Sequence, residues 1–184
     1  ERYYVKAPAF SFSKLSGMDA YLSPEMKSTG EAIGYDKKLH RAAYKAMIAS
    51  GITLRNYGTV LVSVADEDKE ETLPLIRRFY NMGFNIEATT LTGEVLRENG
   101  IRTRILHKPS EGSEEVLDSI RAGYVSYVIN TRAILSGKHF GDGVAIRQCA
   151  AQNNIAMLTN LDTVRMLLDV LEEVTLGIST IDKR

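Results

Sequence analysis

The stretch Phe84-Asn85-Ile86-Glu87-Ala88-Thr89-Thr90-Leu91-Thr92 is the most informative part of this sequence. Its apolar first half predicts a short β-strand, three threonines follow, and a helical pattern over residues 94–99 begins almost at once. In a parallel α/β sheet, ligands bind outside the carboxyl ends of strands, where the next helix begins. The free N–H groups of a helix start, together with hydroxyl donors, suit a phosphate group. We therefore expect a phosphate-binding turn at residues 89–92. Because no nucleophile or metal cage lies nearby in the sequence, we expect binding rather than chemistry.

Strand and helix patterns alternate from residue 58 to the end of the chain. Residues 59–64 are continuous in valine and leucine, which is typical of a strand buried on both faces. The predicted strands are residues 59–64, 84–88, 103–107, 124–129 and 155–158, and the predicted helices are residues 69–82, 92–99, 114–122, 144–153 and 162–174. This alternation predicts an α/β fold with a doubly wound, five-stranded parallel sheet and right-handed crossovers. A long loop is expected over residues 130–143.

Residues 1–57 have a different character from residues 58–184. Proline, glycine and serine punctuate the first segment, which favours loops, and only residues 37–50 carry a helical pattern. So little continuous apolar pattern predicts that the segment has no core of its own. We therefore expect residues 1–57 to be the tail of a preceding domain and residues 58–184 to form a separate domain.

Composition excludes several classes of function. The chain has 184 residues, with 23 Lys plus Arg and 23 Asp plus Glu, so it lacks the basic field that holds nucleic acid or an anionic membrane. No apolar run approaches the roughly 20 residues that span a bilayer. The opening Glu1-Arg2-Tyr3-Tyr4 is unlike a signal peptide and lacks an initiator methionine, so we expect part of a longer, cytoplasmic protein. The single cysteine, Cys149, fits that compartment and is most simply a core residue.

Basic and polar residues follow the other predicted strands as well. Lys69, Lys108, Asn130 and Arg132 should meet the threonines at the same sheet edge and form an anion site. The alternative is that they are solvated loop residues, since lysine and arginine are mostly exposed.

Two further sets of titratable residues also admit more than one interpretation. His139 and Asp142 lie in the predicted long loop and could bind a ligand or act as an acid–base pair, or His139 could simply be a surface loop residue. Residues 66–68, Asp-Glu-Asp, could bind a metal but more simply form a helix entry, with Asp66 as the N-cap.

The run Pro24-Glu25-Met26-Lys27-Ser28-Thr29-Gly30-Glu31 resembles the segment that closes the second ATP-grasp unit of the carbamoyl phosphate synthetase large subunit. The stretches Val5-Lys6-Ala7-Pro8 and Lys14-Leu15-Ser16-Gly17-Met18-Asp19 resemble the same subunit. From about residue 58, the chain is similar to the C-terminal allosteric domain of that family, which has the methylglyoxal synthase-like fold. Motifs that carry this part include Val62-Ser63-Val64 and Tyr127-Val128-Ile129-Asn130-Thr131.

The resemblance implies a regulatory role. The full family subunit is an ATP- and magnesium-dependent ligase that makes carbamoyl phosphate for pyrimidine and arginine biosynthesis, with ammonia supplied by a separate glutaminase small subunit. Its nucleotide-holding residues lie upstream of this chain, so the chain itself should be non-catalytic, contain no cofactor and contact those upstream domains. The implied effector is UMP, with IMP or phosphoribosyl pyrophosphate as competitors, and self-association into a homo-oligomer is left open. The implied effector ligands are Lys69, Thr89, Thr92, Lys108, Asn130 and Thr131.

Some positions depart from the family pattern. Leu91 stands where the family turn often has glycine, and Arg132 where it often has threonine. Ala7 and Met157 replace a glutamate and a tyrosine that hold ornithine in ornithine-activated members, so we expect UMP to inhibit and ornithine to have little effect.

Two other classes of function are compatible with the sequence. The first is a methylglyoxal synthase-type lyase acting on dihydroxyacetone phosphate. In that enzyme an aspartate follows a glycine pair, whereas Gly112 is followed here by Ser113, so the sequence lacks the expected carboxylate base. The second is a purely structural oligomerisation module, which would favour an apolar patch over converging basic and hydroxyl groups.

Overall fold

The computed structural model describes residues 2–9, 30–131 and 140–179. The strands are β1 (Tyr3–Ala9), β2 (Gly30–Asp36), β3 (Thr59–Ser63), β4 (Asn85–Thr89), β5 (Thr103–Leu106), β6 (Val125–Asn130) and β7 (Ala156–Leu158). The helices are α1 (Leu39–Ala49), α2 (Lys69–Asn81), α3 (Thr90–Glu98), α4 (Glu115–Arg121), α5 (Phe140–Gln152) and α6 (Leu161–Ser179). Short 3-10 helices at Asp66–Asp68 and Pro109–Glu111 follow β3 and β5.

The predicted five-stranded parallel sheet is confirmed. Its strand order is β5-β4-β3-β6-β7, and every neighbouring pair is parallel. The order reverses direction at β3, so the crossover helices cover both faces, as a doubly wound sheet requires. Helix α3 begins at Thr90, directly after β4, which brings the predicted turn and the helix start together.

Side chains of β3 alternate between two hydrophobic layers. Val60 and Val62 pack in a core shared with α2, α3 and α6, whereas Leu61 packs in a second core with α4 and α5. All three are fully buried, which explains why this strand reads as a continuous apolar run instead of an alternating one. Cys149 lies in the second core, as expected, and burial raises the pKa of its thiol.

The expectation of a loop-rich N-terminal segment is wrong for residues 3–9 and 30–36, which form the antiparallel pair β1–β2. The predicted helix is confirmed as α1. Small residues on the inner face of β2, Ala32 and Gly34, let α1 approach the strands closely. Ala43 and Met47 of α1 then join the core that contains α6, so this segment shares the main core and needs none of its own. Where one domain ends and the next begins stays a prediction.

The prediction of a loop over residues 130–143 is wrong at both of its ends, since Asn130 still belongs to β6. Helix α5 begins at Phe140, so Asp142 and Gly143 belong to its first turn. The expected site residue Arg132 and His139 lie outside the described residues. Across the described ranges, no helix combines the length and the apolar character that crossing a membrane demands.

Candidate functional site

Four parallel strands end side by side at one edge of the sheet. Ser63 of β3 is in register with Asn130 of β6, and Thr89 of β4 is in register with Leu106 of β5. We call this the carboxyl edge and define it by these four residues. Because the sheet is parallel, each following loop or helix start must emerge at this edge, as the sequence predicted.

A cluster of hydroxyl groups lies at the carboxyl edge. The Oγ1 of Thr89 is 3.2 Å from the Oγ of Ser63 and 3.5 Å from the Oγ1 of Thr92. The backbone N–H of Val64 donates to the Oγ1 of Thr92 at 3.4 Å. Thr89 and Thr92 are buried, so packing fixes their side chains. The cluster therefore joins the end of β3 to the first turn of α3.

The N-terminus of α3 opens at this cluster. Thr89 occupies the N-cap position with extended backbone, but its side chain makes no capping hydrogen bond, and the first turn carries no acidic residue. In an α-helix the first N–H groups have no partner within the helix and carry a partial positive charge. Leu91, in the same first turn, is 53% exposed.

Asn130 and Thr131 tie β6 to the end of β3. The Nδ2 of Asn130 donates to the carbonyl of Ser63 at 3.0 Å, and the backbone N–H of Ala65 donates to the Oγ1 of Thr131 at 2.9 Å. The guanidinium of Arg147 donates to the Oδ1 of Asn130 at 2.6 Å. Both ends of the Asn130 amide are thus engaged by the protein. Asn130 can offer a ligand only its second N–H and its remaining lone pair.

Arg147 is a site residue that sequence reasoning missed. It comes from α5 and is 2% exposed, which is rare for arginine and requires partners. Gly143 provides the space, because a Cβ there would lie 2.9 Å from the Nη1 of Arg147. The Gly143–Arg147 spacing of one helical turn is the only sequence signal that could have suggested this close approach.

The two predicted lysines contact carboxylates and not the hydroxyl cluster. The Nζ of Lys69 lies 2.7 Å from the Oδ1 of Asp66, and the Nζ of Lys108 lies 3.8 Å from the Oδ2 of Asp142. Both lysine side chains are largely buried. The expectation that Asp66 caps the next helix is wrong, since Asp66 opens the 3-10 helix and α2 begins at Lys69. The structure thus joins Thr89, Thr92, Asn130 and Thr131 through the end of β3, and it holds each lysine against a counter-charge.

Asp142 supplies a buried carboxylate close to the end of β5. Its Oδ1 accepts the backbone N–H of Ser110 at 2.9 Å, and its Oδ2 accepts the Ser110 hydroxyl at 2.5 Å. Asp142 is 7% exposed and comes from α5 rather than from a surface loop. The sequence motif for a catalytic aspartate is missing, but folding places a different carboxylate beside Lys108.

An ion pair between His107 and Glu115 lies next to Lys108. One carboxylate oxygen of Glu115 accepts the backbone N–H of His107 and contacts its ring Nδ1, each at 2.8 Å. The hydrogen bond and charge of Glu115 raise the pKa of His107 above its ordinary value of 6.5. The two hydrogen bonds from His107 in turn lower the pKa of the Glu115 carboxyl.

We predict that removing this carboxylate returns His107 to ordinary titration. An NMR pH titration should give a His107 pKa above 6.5 in the wild type and a lower value in Glu115→Gln. Because the folded-state pKa is raised, the stabilisation is present below the unfolded pKa and is lost as pH rises through the folded pKa. Glu114→Gln removes the same charge one residue away and should leave the titration almost unchanged. Equal curves for the wild type and Glu115→Gln would contradict the pairing.

The fold and the carboxyl edge define an α/β domain of the doubly wound class, with a hydroxyl-rich site at a helix N-terminus. Residues 71–159 match the family model of the MGS-like domain, a range that includes every predicted site residue except Lys69. Over these residues the chain is similar to an MGS-like domain.

Two solved structures resemble the chain. The methylglyoxal synthase from Elizabethkingia anophelis NUHP1 is 19% identical, with 62% of this chain and 79% of that chain covered and a TM-score of 0.54. The structure named ForH is 20% identical, with 64% and 80% covered and a TM-score of 0.49. At such identity, the likeness to the synthase shows the fold alone.

Proposed function

We propose that this chain is the allosteric effector-binding domain of a carbamoyl phosphate synthetase large subunit. It binds a phosphorylated nucleotide, UMP, at the carboxyl edge and so regulates carbamoyl phosphate synthesis for pyrimidines and arginine. The observation that supports this most is the Ser63–Thr89–Thr92 hydroxyl cluster, whose two threonines are buried, beside the uncapped start of α3. The MGS-like family match is compatible with such a regulatory domain. In the longer protein, the partners are the upstream ATP-grasp domains and the glutaminase small subunit.

Phosphate recognition here uses donors already held in place. The N–H groups of the first turn of α3 and the hydroxyls of Thr89 and Thr92 lie around one turn, so binding orders few side chains. Lys69 and Lys108 add charge when their ammonium groups turn from Asp66 and Asp142 to the phosphate. Charge-assisted hydrogen bonds of this kind are about twice as strong as neutral ones. Thr131 and Asn130 hold β3 and β6 in register beneath the phosphate and present the remaining Asn130 N–H to the ligand.

We predict that Asp66→Asn strengthens phosphate binding. Asp66 competes with the ligand for Lys69, and because the Asp66 side chain is 81% exposed, water screens the pair and keeps its worth at the roughly 0.2–1 kcal/mol of surface ion pairs. The expected gain in UMP affinity is roughly two- to fivefold, measured by isothermal titration calorimetry. Asp68→Asn is the matched control, since it removes the same charge from the same 3-10 helix without touching the Lys69 contact. Weaker binding by Asp66→Asn, or an equal gain in both variants, would contradict a specific competition.

Asp142 supports a second candidate function, a lyase of the methylglyoxal synthase type acting on dihydroxyacetone phosphate. A buried carboxylate beside Lys108 and Ser110 is the kind of group that could abstract a proton next to a carbonyl. Both of its carboxylate oxygens already accept hydrogen bonds from Ser110, and the Nζ of Lys108 lies 3.8 Å from one of them, so a substrate proton would have to displace a partner. We therefore favour binding over turnover.

Two assays on the same preparation separate the candidates. Calorimetric titration with UMP, IMP and phosphoribosyl pyrophosphate should show binding of UMP, and incubation with dihydroxyacetone phosphate should release no inorganic phosphate. Phosphate release that Asp142→Asn abolishes would establish the lyase. Absence of heat with all three nucleotides would overturn the regulatory proposal.

A further inference from the structure

A cavity lies at the opposite edge of the same sheet, where the parallel strands begin. It has a volume of about 1010 Å³, and residues at the starts of β3, β4 and β5 line it, among them Thr59, Asn85 and Thr103. Strand β4 runs for five residues from Asn85 to Thr89, so about 13 Å separates the cavity from the hydroxyl cluster at the rise of a β-strand. A small ligand in this cavity therefore cannot reach the carboxyl edge.

Three arginines give this cavity its charge. Arg97, at the end of α3, and Arg102 and Arg104, around the start of β5, all belong to its lining. Glu87 is the single carboxylate among its lining residues. The excess of guanidinium groups leaves the lining positive in a chain whose net charge is zero, so this edge concentrates positive charge locally.

The one carboxylate is already engaged. Glu87 is 4% exposed and accepts hydrogen bonds from the hydroxyl of Ser119 and, at 3.3 Å, from the Nη1 of Arg104. Its charge therefore offsets one guanidinium and leaves the other two. A ligand cation would meet no free carboxylate here, whereas a ligand anion would meet two uncompensated positive charges.

The remaining guanidinium groups keep donors available. The Nε of Arg97 donates to the carbonyl of Thr103 at 2.9 Å, which fixes the side chain and leaves its two terminal nitrogens. Arg102 makes no hydrogen bond or ion pair with the described part of the chain. A second cavity of about 410 Å³ adjoins the first and shares Arg97 and Arg102, so both side chains border open space on two sides.

We propose that this arginine-lined cavity is a second binding site, which takes a small polyanion with phosphate or carboxylate groups. Guanidinium forks match both kinds of oxygen pair and hold them bidentately. Tyr80 and Tyr124, exposed by 38% and 43%, border the cavity and add phenolic hydroxyl donors. The site is independent of the proposed effector site, because it shares no residue with the carboxyl edge.

The test is calorimetry on the whole chain, with inorganic pyrophosphate and citrate as separate probes. The background is Lys69→Ala/Thr92→Val, which removes the proposed effector site, so that failure of one site cannot be mistaken for failure of the other. Adding Arg97→Gln and Arg102→Gln should weaken binding of the preferred probe at least tenfold. Lys37→Gln/Arg41→Gln is the matched control, because it removes two exposed positive charges on and next to α1 and should change affinity less than twofold.

Thermal melting of each variant should show an intact fold, since both cavity arginines are exposed. Arg102→Glu offers a second variant, in which charge reversal should abolish binding even if glutamine substitutions are tolerated. Preference for pyrophosphate or for citrate identifies the phosphate or the carboxylate source. Binding that survives both the double substitution and Arg102→Glu, or no binding of either probe at millimolar concentration, would overturn the proposal.

Discussion

Lys69→Ala combined with Thr92→Val is expected to weaken UMP binding by at least about a hundredfold. Each substitution removes one charge-assisted contact, worth about 1.5–3 kcal/mol, or roughly 10- to 150-fold in affinity. The two residues approach the turn from different elements, since Lys69 begins α2 and Thr92 lies in the first turn of α3. Because both residues contact the same phosphate, their effects are coupled, and the hundredfold figure is the product of the two smallest single losses. Isothermal titration calorimetry measures the change.

A matched control distinguishes loss of contacts from loss of fold. Lys37→Ala/Thr53→Val makes the same chemical changes at exposed positions and should bind UMP like the wild type. Thr92 also accepts the N–H of Val64, so melting curves should accompany each titration. The wild-type affinity for UMP should fall as salt is added, because the added ions screen the attraction between the lysines and the phosphate. Unchanged affinity in the double variant would place the effector site elsewhere.

Among substitutions that add one methyl group to β2, we expect Gly34→Ala to lower the free energy of unfolding the most. A Cβ at this position would lie 2.0 Å from the carbonyl oxygen of Ala42 and 2.4 Å from the backbone nitrogen of Ala46. Both atoms belong to the backbone of α1, so no side-chain rotation relieves the contact. Helix and strand must separate, at a cost of about 3 kcal/mol.

Urea denaturation should show the decrease as a lower transition midpoint. Gly141→Ala is the matched control, because a Cβ there meets nothing within 4 Å and lies in the first turn of α5. That change should be neutral or stabilise by up to about 1 kcal/mol, since alanine favours helix over glycine. Equal midpoints for the Gly34 and Gly141 variants would show that the backbone of α1 does not pack closely against Gly34 of β2.

The sheet could be predicted because its signal is local. Val60, Leu61 and Val62 are apolar in sequence and fully buried in the structure, and helices α2 and α6 carry buried apolar residues at helical spacing. The pair β1–β2 could not be predicted, because its inner face uses alanine and glycine and shows no hydrophobic alternation. Ala7 pairs with Ala32 and Val5 with Gly34, and more than twenty residues separate the partners in sequence. The pairing therefore lacks the short turn sequence by which a hairpin is predicted.

Part of the candidate site could also be predicted from the positions at which the strands end. Parallel strands place Thr89 and Asn130 at one edge regardless of side-chain detail, which is why their proximity was predicted. Asp142 was named only as a loop residue beside His139, and Arg147 was missed altogether, because both are polar residues that fold into the interior. Hydrophobic periodicity assigns such residues to the solvent side, and only tertiary contacts reveal that they hold Ser110 and Asn130.

The aspartates that contact the two lysines also differ in how well the sequence could predict them. Asp66 is three residues from Lys69, so that pair could be anticipated from spacing. Asp142 lies far from Lys108 in sequence, and their proximity depends on how α5 packs against the Pro109–Glu111 helix. An interpretation from sequence therefore overestimates how much free positive charge the site offers.

A crystal structure of the chain soaked with UMP tests the central claim most directly. The account predicts the nucleotide phosphate at the turn before α3, within hydrogen-bond distance of the hydroxyls of Thr89 and Thr92. It also predicts that the Lys69 ammonium leaves Asp66 to contact a phosphate oxygen. A fully occupied nucleotide bound only at another surface, with the Ser63–Thr89–Thr92 cluster untouched, would contradict the account.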